Sequence, residues 1–339
     1  MDTSKLKRLT LGQYPTPVHH VAALSVPGCD LWVKRDDLTH EAYGGNKVRK
    51  LEYLLAAARA SGAKSLVTVG AAGSHHVLAT TYFGVRAGFS IEAVLVPQPR
   101  TEHAVEVLRA SLALGLRPFP VRSTAAVPLA IARRIAAGSS FIPLGGSSVT
   151  GTMGYVDAAR ELGTQVRQGA MPEPDFCVVA LGSAGTAAGL AAGFAELRMK
   201  TRVVGIGVSR PFALSRVLAL KLARGCARRV GMRDADATWR RQLAFDARFL
   251  GAGYGHATIL GDEATRDARE GAQLALDPTY TAKAFAAALW HVRARRASCI
   301  LYWHTLSSRP IGPLMLGAVD EPARDATMRL LFGSARSSS

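Results

Sequence analysis

At 339 residues with 48% hydrophobic content, the chain is long enough to bury a large core, and its length favours two lobes. It contains no run of ~18 uncharged apolar residues, which excludes a membrane-spanning helix, and its first residues lack the apolar segment of a secretory signal. The formal net charge of +17 favours anionic partners, but aromatic residues make up only 7% of the chain and are not interleaved with the arginines, which argues against nucleic acid.

The positions of the cysteines and of the clustered arginines indicate the cellular compartment and the surface of the protein. The four cysteines are scattered and form no C-x-x-C pair, which predicts reduced thiols and a cytoplasmic protein. A cluster of six arginines is predicted to be solvated surface; its members are Arg224, Arg228, Arg229, Arg233, Arg240 and Arg241.

Apolar, β-rich segments alternate with helical ones along the chain. Strands are predicted at Leu31–Lys34, Ser65–Gly70, Ile91–Pro97, Phe141–Leu144, Asp175–Leu181, Arg202–Val208 and Ala297–Tyr302. Helices are predicted near Lys47–Ala60, Ser74–Ala87, Glu102–Leu114, Ala125–Ala136, Gly151–Val166, Thr186–Leu197, Pro211–Val230, Asp262–Leu274 and Thr281–Arg293. This alternation predicts an α/β fold in which helices cover both faces of a parallel sheet. Only the tail Gly333–Ser339 is expected to be disordered.

The segment Gly44–Leu51 combines a tight turn with a helix start. Its two glycines allow the turn, and the apolar residues after Lys47 recur at helical spacing. Only nine of the 42 basic residues are lysines, and only a lysine can lose its proton near neutral pH and attack a carbonyl. On this segment alone, a reactive amine and a solvated basic helix start both remain open.

Two further strand-to-helix turns are rich in small residues. Ser74 follows a strand and is a candidate N-cap of the next helix. The side chains of His75 and His76 would diverge by about 100° on that helix, so we predict that they bind no metal ion together. The second turn opens a helix with backbone N–H groups that can bind a phosphate, although a turn without a ligand remains open. It comprises Gly182, Ser183, Ala184, Gly185 and Thr186, and it matches neither a nucleotide P-loop nor the dinucleotide fingerprint.

These motifs resemble the motifs of one enzyme family. The resemblance runs in order along most of the chain, from Pro15-Thr16-Pro17 to His304-Thr305. Gly-Gly-Asn-Lys followed by Arg-Lys-Leu-Glu-Tyr-Leu resembles the cofactor-lysine segment of the 1-aminocyclopropane-1-carboxylate deaminase and D-cysteine desulfhydrase family. The family is a branch of the fold-type-II, tryptophan-synthase-β-like enzymes that use pyridoxal 5'-phosphate.

The resemblance implies a two-lobed homodimer acting on a small amino acid. Each lobe would be a mostly parallel twisted sheet flanked by helices, with a large lobe at 1–48 and 156–332 and a small lobe at 49–155. Asn46 and Lys47 would bind the cofactor, with Lys47 forming the Schiff base. The loop from Gly182 to Thr186 would hold the phosphate. Ser74 would orient the substrate carboxylate.

His75 departs from the family, which usually has an asparagine there, placed to bond the cofactor's phenolic oxygen. Imidazole can supply that bond, but it is bulkier and titrates near working pH. Leu306 and Ser307 also depart, because the family usually has two glycines after His-Thr, and Ser148 replaces a common asparagine. These departures predict either a reshaped pocket or a weakened activity.

Four positions in the second half bear on the reaction. Tyr254 and Tyr280, each of which could equally be a loop aromatic, match tyrosines that face the substrate and assist proton transfer or leaving-group departure. Thr281 and Thr305 match the desulfhydrase-like members, whereas deaminases have glutamate and leucine. A hydroxyl near the pyridine nitrogen makes the ring a weaker electron sink than a carboxylate does.

The sequence therefore favours D-cysteine desulfhydrase-like β-elimination, giving a keto acid, ammonia and a thiol or sulfide. Racemisation or deamination of another small amino acid, including 1-aminocyclopropane-1-carboxylate, is the alternative within the enzyme class. A non-catalytic protein that binds pyridoxal phosphate, or a basic protein that binds nucleic acid, is the alternative outside it.

Overall fold

The computed structural model describes residues 7–233, 237–315 and 321–332. Its strands are β1 (Val18–His20), β2 (Asp30–Arg35), β3 (Ser65–Ala71), β4 (Ser90–Val96), β5 (Arg117–Pro120), β6 (Ser139–Phe141), β7 (Phe176–Leu181), β8 (Arg202–Gly207), β9 (Leu243–Asp246) and β10 (Cys299–His304). Its helices are α1 (Lys47–Ala60), α2 (His75–Arg86), α3 (Glu102–Ala113), α4 (Val127–Ala136), α5 (Val149–Arg167), α6 (Gly185–Glu196), α7 (Phe212–Arg229), α8 (Thr238–Arg241), α9 (Ile259–Ala272), α10 (Thr281–Arg293) and α11 (Glu321–Phe332). The tail expected to be disordered lies outside the described residues.

The chain divides into two compact units. Unit 1 contains Gly12–Lys50 and Ser147–Arg309, and unit 2 contains Lys7–Leu11, Leu51–Gly146 and the described residues from Pro310 onward. The expected lobe boundaries, at 49 and 155, stay a prediction.

Unit 1 is built on a six-stranded sheet in the order β1-β2-β10-β7-β8-β9. All its strand pairs are parallel except β1 with β2, which is antiparallel. The carboxyl ends of the parallel strands therefore face one edge of the sheet, where α/β folds place their ligands. The loops that follow Leu181 and His304 both start at this edge.

Helices cover both faces of this sheet, as predicted. Val179 and Leu301 point to one face and pack in a core with residues of α5, α6 and α7. Their neighbours Val178 and Ile300 point to the other face and pack with residues of α9 and α10. A strand that is buried on both faces has a continuous run of apolar residues, and the sequences of β7 and β10 show this pattern.

Unit 2 contains a parallel four-stranded sheet in the order β5-β4-β3-β6. Helix α2 follows β3, and its start is capped by Ser74, whose hydroxyl accepts a hydrogen bond from the Val77 N–H at 3.4 Å. The expected N-cap is confirmed.

Most predicted elements are confirmed, but the strand predicted at Phe141–Leu144 is wrong. The strand is Ser139–Phe141, and the chain then turns through Leu144–Gly146. Gly145 and Gly146 adopt positive φ values of 63° and 66°, which turn the chain out of an extended conformation. The strands β1, β5 and β9 were not predicted at all. Each is three or four residues long and lies at a sheet edge, where an apolar run is not required.

The clustered arginines lie at the surface, as predicted, and the cysteines form no disulfide among the described residues. All four cysteines are buried and free. Of the six clustered arginines, five are exposed and Arg229 is partly exposed. No helix within the described ranges has both the length and the apolar character needed to cross a membrane.

Replacing Gly154 by alanine should destabilise unit 1. Gly154 lies in α5, and a Cβ there would be 2.1 Å from the carbonyl oxygen of Arg49 in α1, so the helices would have to separate. We expect a loss of ~1–3 kcal/mol in the free energy of unfolding, measured by denaturant titration. Gly312→Ala is the control, because a Cβ there would meet no described atom within 4 Å. Equal midpoints for the two variants would contradict the prediction.

Candidate active site

Lys47 begins α1 and is tied to two other segments of unit 1 through Asn46. The Lys47 Nζ donates to Asn46 Oδ1 at 2.6 Å, and Asn46 Nδ2 donates to Thr186 Oγ1 at 3.1 Å. The Asn46 N–H donates to the carbonyl of Thr305 at 3.0 Å. The start of α1, the start of α6 and the segment after β10 therefore meet at Asn46, whose side chain bonds the Lys47 amine.

The turn before Lys47 needs its two glycines. Gly45 has a φ of 96°, and a Cβ there would be 2.9 Å from the carbonyl oxygen of Thr305. The Gly44 N–H donates to the hydroxyl of Ser307 at 3.1 Å. Ser307, one of the departures from the family pattern, thus gains a hydrogen bond to the turn that carries Lys47.

The Lys47 side chain is half-buried, and this sets its proton affinity. Burial lowers the pKa of the amine from 10.5 to about 8, against the opposing effect of the Asp277 carboxylate. A substantial fraction of the amine is then unprotonated near neutral pH, which is the form that attacks a carbonyl or accepts a proton.

The small-residue loop after β7 has the geometry of an anion-binding turn. Ala184 adopts a left-handed conformation with a φ of 68°, and the 12-residue helix α6 begins at Gly185. The hydroxyl of Ser183 lies 2.8 Å from that of Ser147, which also accepts the Gly185 N–H at 3.3 Å. A Cβ on Gly182 would be 3.0 Å from the ring of Tyr280, so this loop also contacts a predicted catalytic residue.

Lys50 is a site residue that sequence reasoning missed. It is 1% exposed, and its Nζ donates to Ser147 Oγ at 3.3 Å. Burial, together with the nearby charge of Lys47, holds the pKa of Lys50 well below its ordinary value. Because residues three apart share a helix face, the spacing from Lys47 was the signal that could have found it.

Tyr254 and Tyr280 are neighbours in unit 1. Their rings are 5.7 Å apart in an edge-to-face arrangement. Burial raises the pKa of each phenol, so both hydroxyls keep their protons at neutral pH. They can therefore act as hydrogen-bond or proton donors.

Thr281 is held by Asp277, the second residue that sequence reasoning missed. The Thr281 hydroxyl donates to Asp277 Oδ2 at 2.6 Å, and the same carboxylate accepts the N–H groups of Thr279, Tyr280 and Thr281. Asp277 therefore holds the turn before α10, including the backbone of Tyr280, and the N–H of the first residue of the helix. The sequence Asp-Pro-Thr-Tyr-Thr before a helical segment was the available signal.

Ser74 and His75 lie in unit 2, at the start of α2. Ser74 is 8% exposed. The Nε2 atom of His75 is 2.8 Å from that of His103 in α3, a neighbour that the sequence did not indicate. His76 points elsewhere and bonds Thr68 Oγ1 at 2.8 Å. Within the part of the chain that the structure describes, no three or more His, Cys, Asp or Glu side chains are grouped so as to hold a metal ion.

Unit 1 therefore brings together most of the predicted site: Asn46, Lys47, the loop from Gly182 to Thr186, Tyr254, Tyr280, Thr281 and Thr305. His304, next to Thr305, is fully buried; its Nδ1 lies 3.2 Å from the Tyr302 hydroxyl. Burial lowers the pKa of His304, so its imidazole is neutral.

Comparisons with known proteins agree with this arrangement. Residues 9–299 match the family described as "Pyridoxal-phosphate dependent enzyme". The chain is 35% identical over 317 residues to a D-cysteine desulfhydrase of Salmonella paratyphi A, covering 89% of this chain and 94% of the relative.

Solved structures are similar over nearly the whole chain. A crystal structure of an "ACC deaminase homologue" superposes with a TM-score of 0.77 at 29% identity, covering 97% of each chain. A threonine deaminase from Solanum lycopersicum superposes with a TM-score of 0.60 at 17% identity, covering 93% of this chain and 82% of the other, and supports the fold alone.

Proposed function

The chain belongs to the pyridoxal-phosphate dependent enzyme family, and from that premise we propose that it is a D-cysteine desulfhydrase-like lyase. The reaction is β-elimination: D-cysteine and water give pyruvate, ammonia and hydrogen sulfide. It uses pyridoxal 5'-phosphate as cofactor, as the family does.

The residues present fit this cofactor. An aldehyde needs an amine that is partly unprotonated, and Lys47, with a pKa of about 8, provides it. A phosphate needs hydrogen-bond donors, and the Ser183–Gly185 turn with the Lys50 amine and the Ser147 hydroxyl provides them. Asn46 connects the two sites through its bonds to Lys47 and Thr186.

When bound, pyridoxal phosphate supplies a carbonyl that captures amino groups and a conjugated ring that accepts negative charge from the substrate α-carbon. Lys47 would hold the cofactor through its amine, and the same amine, when free, would remove the α-proton of the substrate. The electron pair of the Cα–H bond forms a Cα–Cβ double bond as the Cβ–S bond breaks. Asn46 accepts a hydrogen bond from the Lys47 amine and so orients it.

The other predicted residues bind or orient. Tyr280, with Tyr254 against its ring, donates a proton or hydrogen bond to the departing thiolate, consistent with phenols that remain protonated. Ser74, at the N-cap of α2, orients the substrate carboxylate, where the helix dipole also favours an anion. His75 supplies a hydrogen bond to the cofactor's phenolic oxygen.

Thr281 and Thr305 favour elimination over cyclopropane opening. A hydroxyl enforces protonation of a pyridine nitrogen less strongly than a carboxylate does, so the ring withdraws fewer electrons. This weaker electron withdrawal is sufficient for β-elimination when the β-carbon carries a good leaving group.

The observation that carries the proposal is the connection from Lys47 through Asn46 to Thr186, because it links an amine with a lowered pKa to the last residue of the small-residue loop. We further propose a homodimer in the cytoplasm. The resemblance implies the dimer, and the scattered free cysteines are typical of a reducing compartment.

The test is to incubate the purified protein, loaded with pyridoxal phosphate, with D-cysteine, L-cysteine or 1-aminocyclopropane-1-carboxylate. We expect equal amounts of pyruvate and sulfide from D-cysteine. Enantiomer exchange without pyruvate would instead show a racemase, and 2-oxobutyrate from the cyclopropane substrate would show a deaminase. A protein that binds no pyridoxal phosphate would contradict the proposal altogether.

A further inference from the structure

Thr152 carries a buried hydroxyl with no hydrogen-bond partner among the described residues. The residue lies in α5 and is 0% exposed. A buried hydroxyl without a partner destabilises a fold, so native structures seldom retain one unless something binds to it.

The hydroxyl of Thr152 differs from several other helical threonine hydroxyls, although the Thr80 hydroxyl in α2 is also buried without a partner among the described residues. Threonine hydroxyls inside helices can donate to the carbonyl four residues earlier. Thr81, Thr164 and Thr265 do so at distances of 2.8 to 3.1 Å. The Thr152 hydroxyl makes no such bond, although the carbonyl of Ser148 accepts the N–H of the same residue at 2.9 Å.

Instead, the hydroxyl lies among polar groups at the first residue of α6. A Cβ built on Gly185 would be 3.1 Å from Thr152 Oγ1, 2.6 Å from Ser147 Oγ and 2.9 Å from Lys50 Nζ. Two hydroxyls and an amine therefore converge at the N-terminus of a 12-residue helix, where the helix dipole also favours an anion.

We propose that Thr152 binds the phosphate group of the cofactor. Phosphate oxygens accept hydrogen bonds, and both the Thr152 hydroxyl and the Lys50 amine have a proton to donate. This inference rests on the proposed function and adds a binding residue that lies 30 residues or more before the loop Gly182–Thr186 in the chain.

The experiment compares two ligands on the full-length chain freed of cofactor. Dissociation constants for pyridoxal phosphate and for pyridoxal, which lacks the phosphate, are measured by absorbance in wild type, Thr152→Val and Thr152→Ser. Thr81→Val is the matched control, because it removes an equally buried helical hydroxyl that already has a partner. Phosphorus NMR of the bound cofactor reports the phosphate directly.

We expect Thr152→Val to weaken pyridoxal phosphate about tenfold or more, as for the loss of one hydrogen bond to a charged group, and to leave pyridoxal unchanged. Thr152→Ser and Thr81→Val should bind both ligands nearly as wild type does. The phosphorus resonance should shift in Thr152→Val but not in Thr81→Val. The melting temperature of the cofactor-free chain should not fall in Thr152→Val, because a methyl group replaces an unpartnered hydroxyl.

Wild-type affinity for pyridoxal phosphate in Thr152→Val, or equal weakening of both ligands, would overturn the inference while leaving the proposed function intact. Failure of the wild type itself to bind pyridoxal phosphate would overturn both. If valine prevents folding, Thr152→Ala provides the same comparison of ligands.

Discussion

Lys47→Ala should lose the absorbance of the attached cofactor and at least about 10³-fold of its turnover of D-cysteine, since one side chain both attaches the cofactor and moves the α-proton. With a pKa of about 8, roughly one Lys47 amine in ten is unprotonated at pH 7, against fewer than about one in a thousand for an ordinary lysine. Attachment of pyridoxal phosphate to the cofactor-free chain should accelerate with pH and level off above about pH 8.

Two variants separate loss of the amine from loss of charge. Lys47→Arg keeps the positive charge but cannot lose its proton near neutral pH, so it should be as inactive as Lys47→Ala. Lys221→Ala removes an exposed lysine on α7 and should keep wild-type turnover. Borohydride reduction followed by peptide mapping should find the cofactor on Lys47 and not on Lys50. A labelled Lys50, or turnover retained in Lys47→Ala, would overturn the role given to Lys47.

Some parts of the candidate site could be predicted from the sequence. They are the parts whose local structure depends on residues adjacent in the chain. Helix α1 begins at Lys47 and α10 at Thr281, as predicted, because a glycine turn and a helix cap are written in consecutive positions. The loop Gly182–Thr186 is likewise found between β7 and α6. Local patterns therefore indicated where these turns and helices begin, while their place in a site stays a prediction.

The residues that were missed depend on packing between distant segments. Lys50 and Thr152 lie on helices that look ordinary in sequence, and only the contact of α1 and α5 with the start of α6 makes them polar groups around Gly185. His103 is 28 residues from His75 and meets it only because α3 follows α2 in the same unit. No periodicity within one helix could show these pairs.

Asp36→Asn should cause the largest loss of stability of any single charge-removing substitution in unit 1, ~3–5 kcal/mol in the free energy of unfolding. Asp36 is fully buried, and its carboxylate accepts hydrogen bonds from the Arg49 guanidinium at 2.8 Å, the Tyr155 hydroxyl at 2.7 Å and Trp303 Nε1 at 2.7 Å. An amide replaces one acceptor oxygen by a donor that faces these donors and leaves Arg49 without its full countercharge.

The contribution of Asp36 should also depend on pH. Burial alone would raise the pKa of this carboxyl, but Arg49, with help from Lys34 and Trp303, outweighs burial and lowers it below 3.8. The Asp36 carboxyl binds its proton more tightly in the unfolded chain than in the folded one. Its contribution to the free energy of unfolding is therefore complete above pH ~5 and is lost as the pH falls through the pKa of Asp36 in the folded state. The wild type should lose stability over this range more steeply than Asp36→Asn.

Asp30→Asn is the matched control, because Asp30 begins the strand β2 that ends just before Asp36, and its side chain is half exposed. This substitution should change the free energy of unfolding by no more than ~0.5 kcal/mol. Urea titrations of the wild type and both variants at pH 7 and at about pH 3, which is below the ordinary carboxyl pKa, measure the difference. Asp36 also accepts the Gly45 N–H through its backbone carbonyl, and Arg49 follows Lys47 by two residues in α1. The ion pair therefore holds the turn and the helix that present Lys47, and Asp36→Asn should lower cofactor affinity together with stability. Unchanged stability at pH 7 would show that the pair is replaceable and that the glycine turn alone positions the amine.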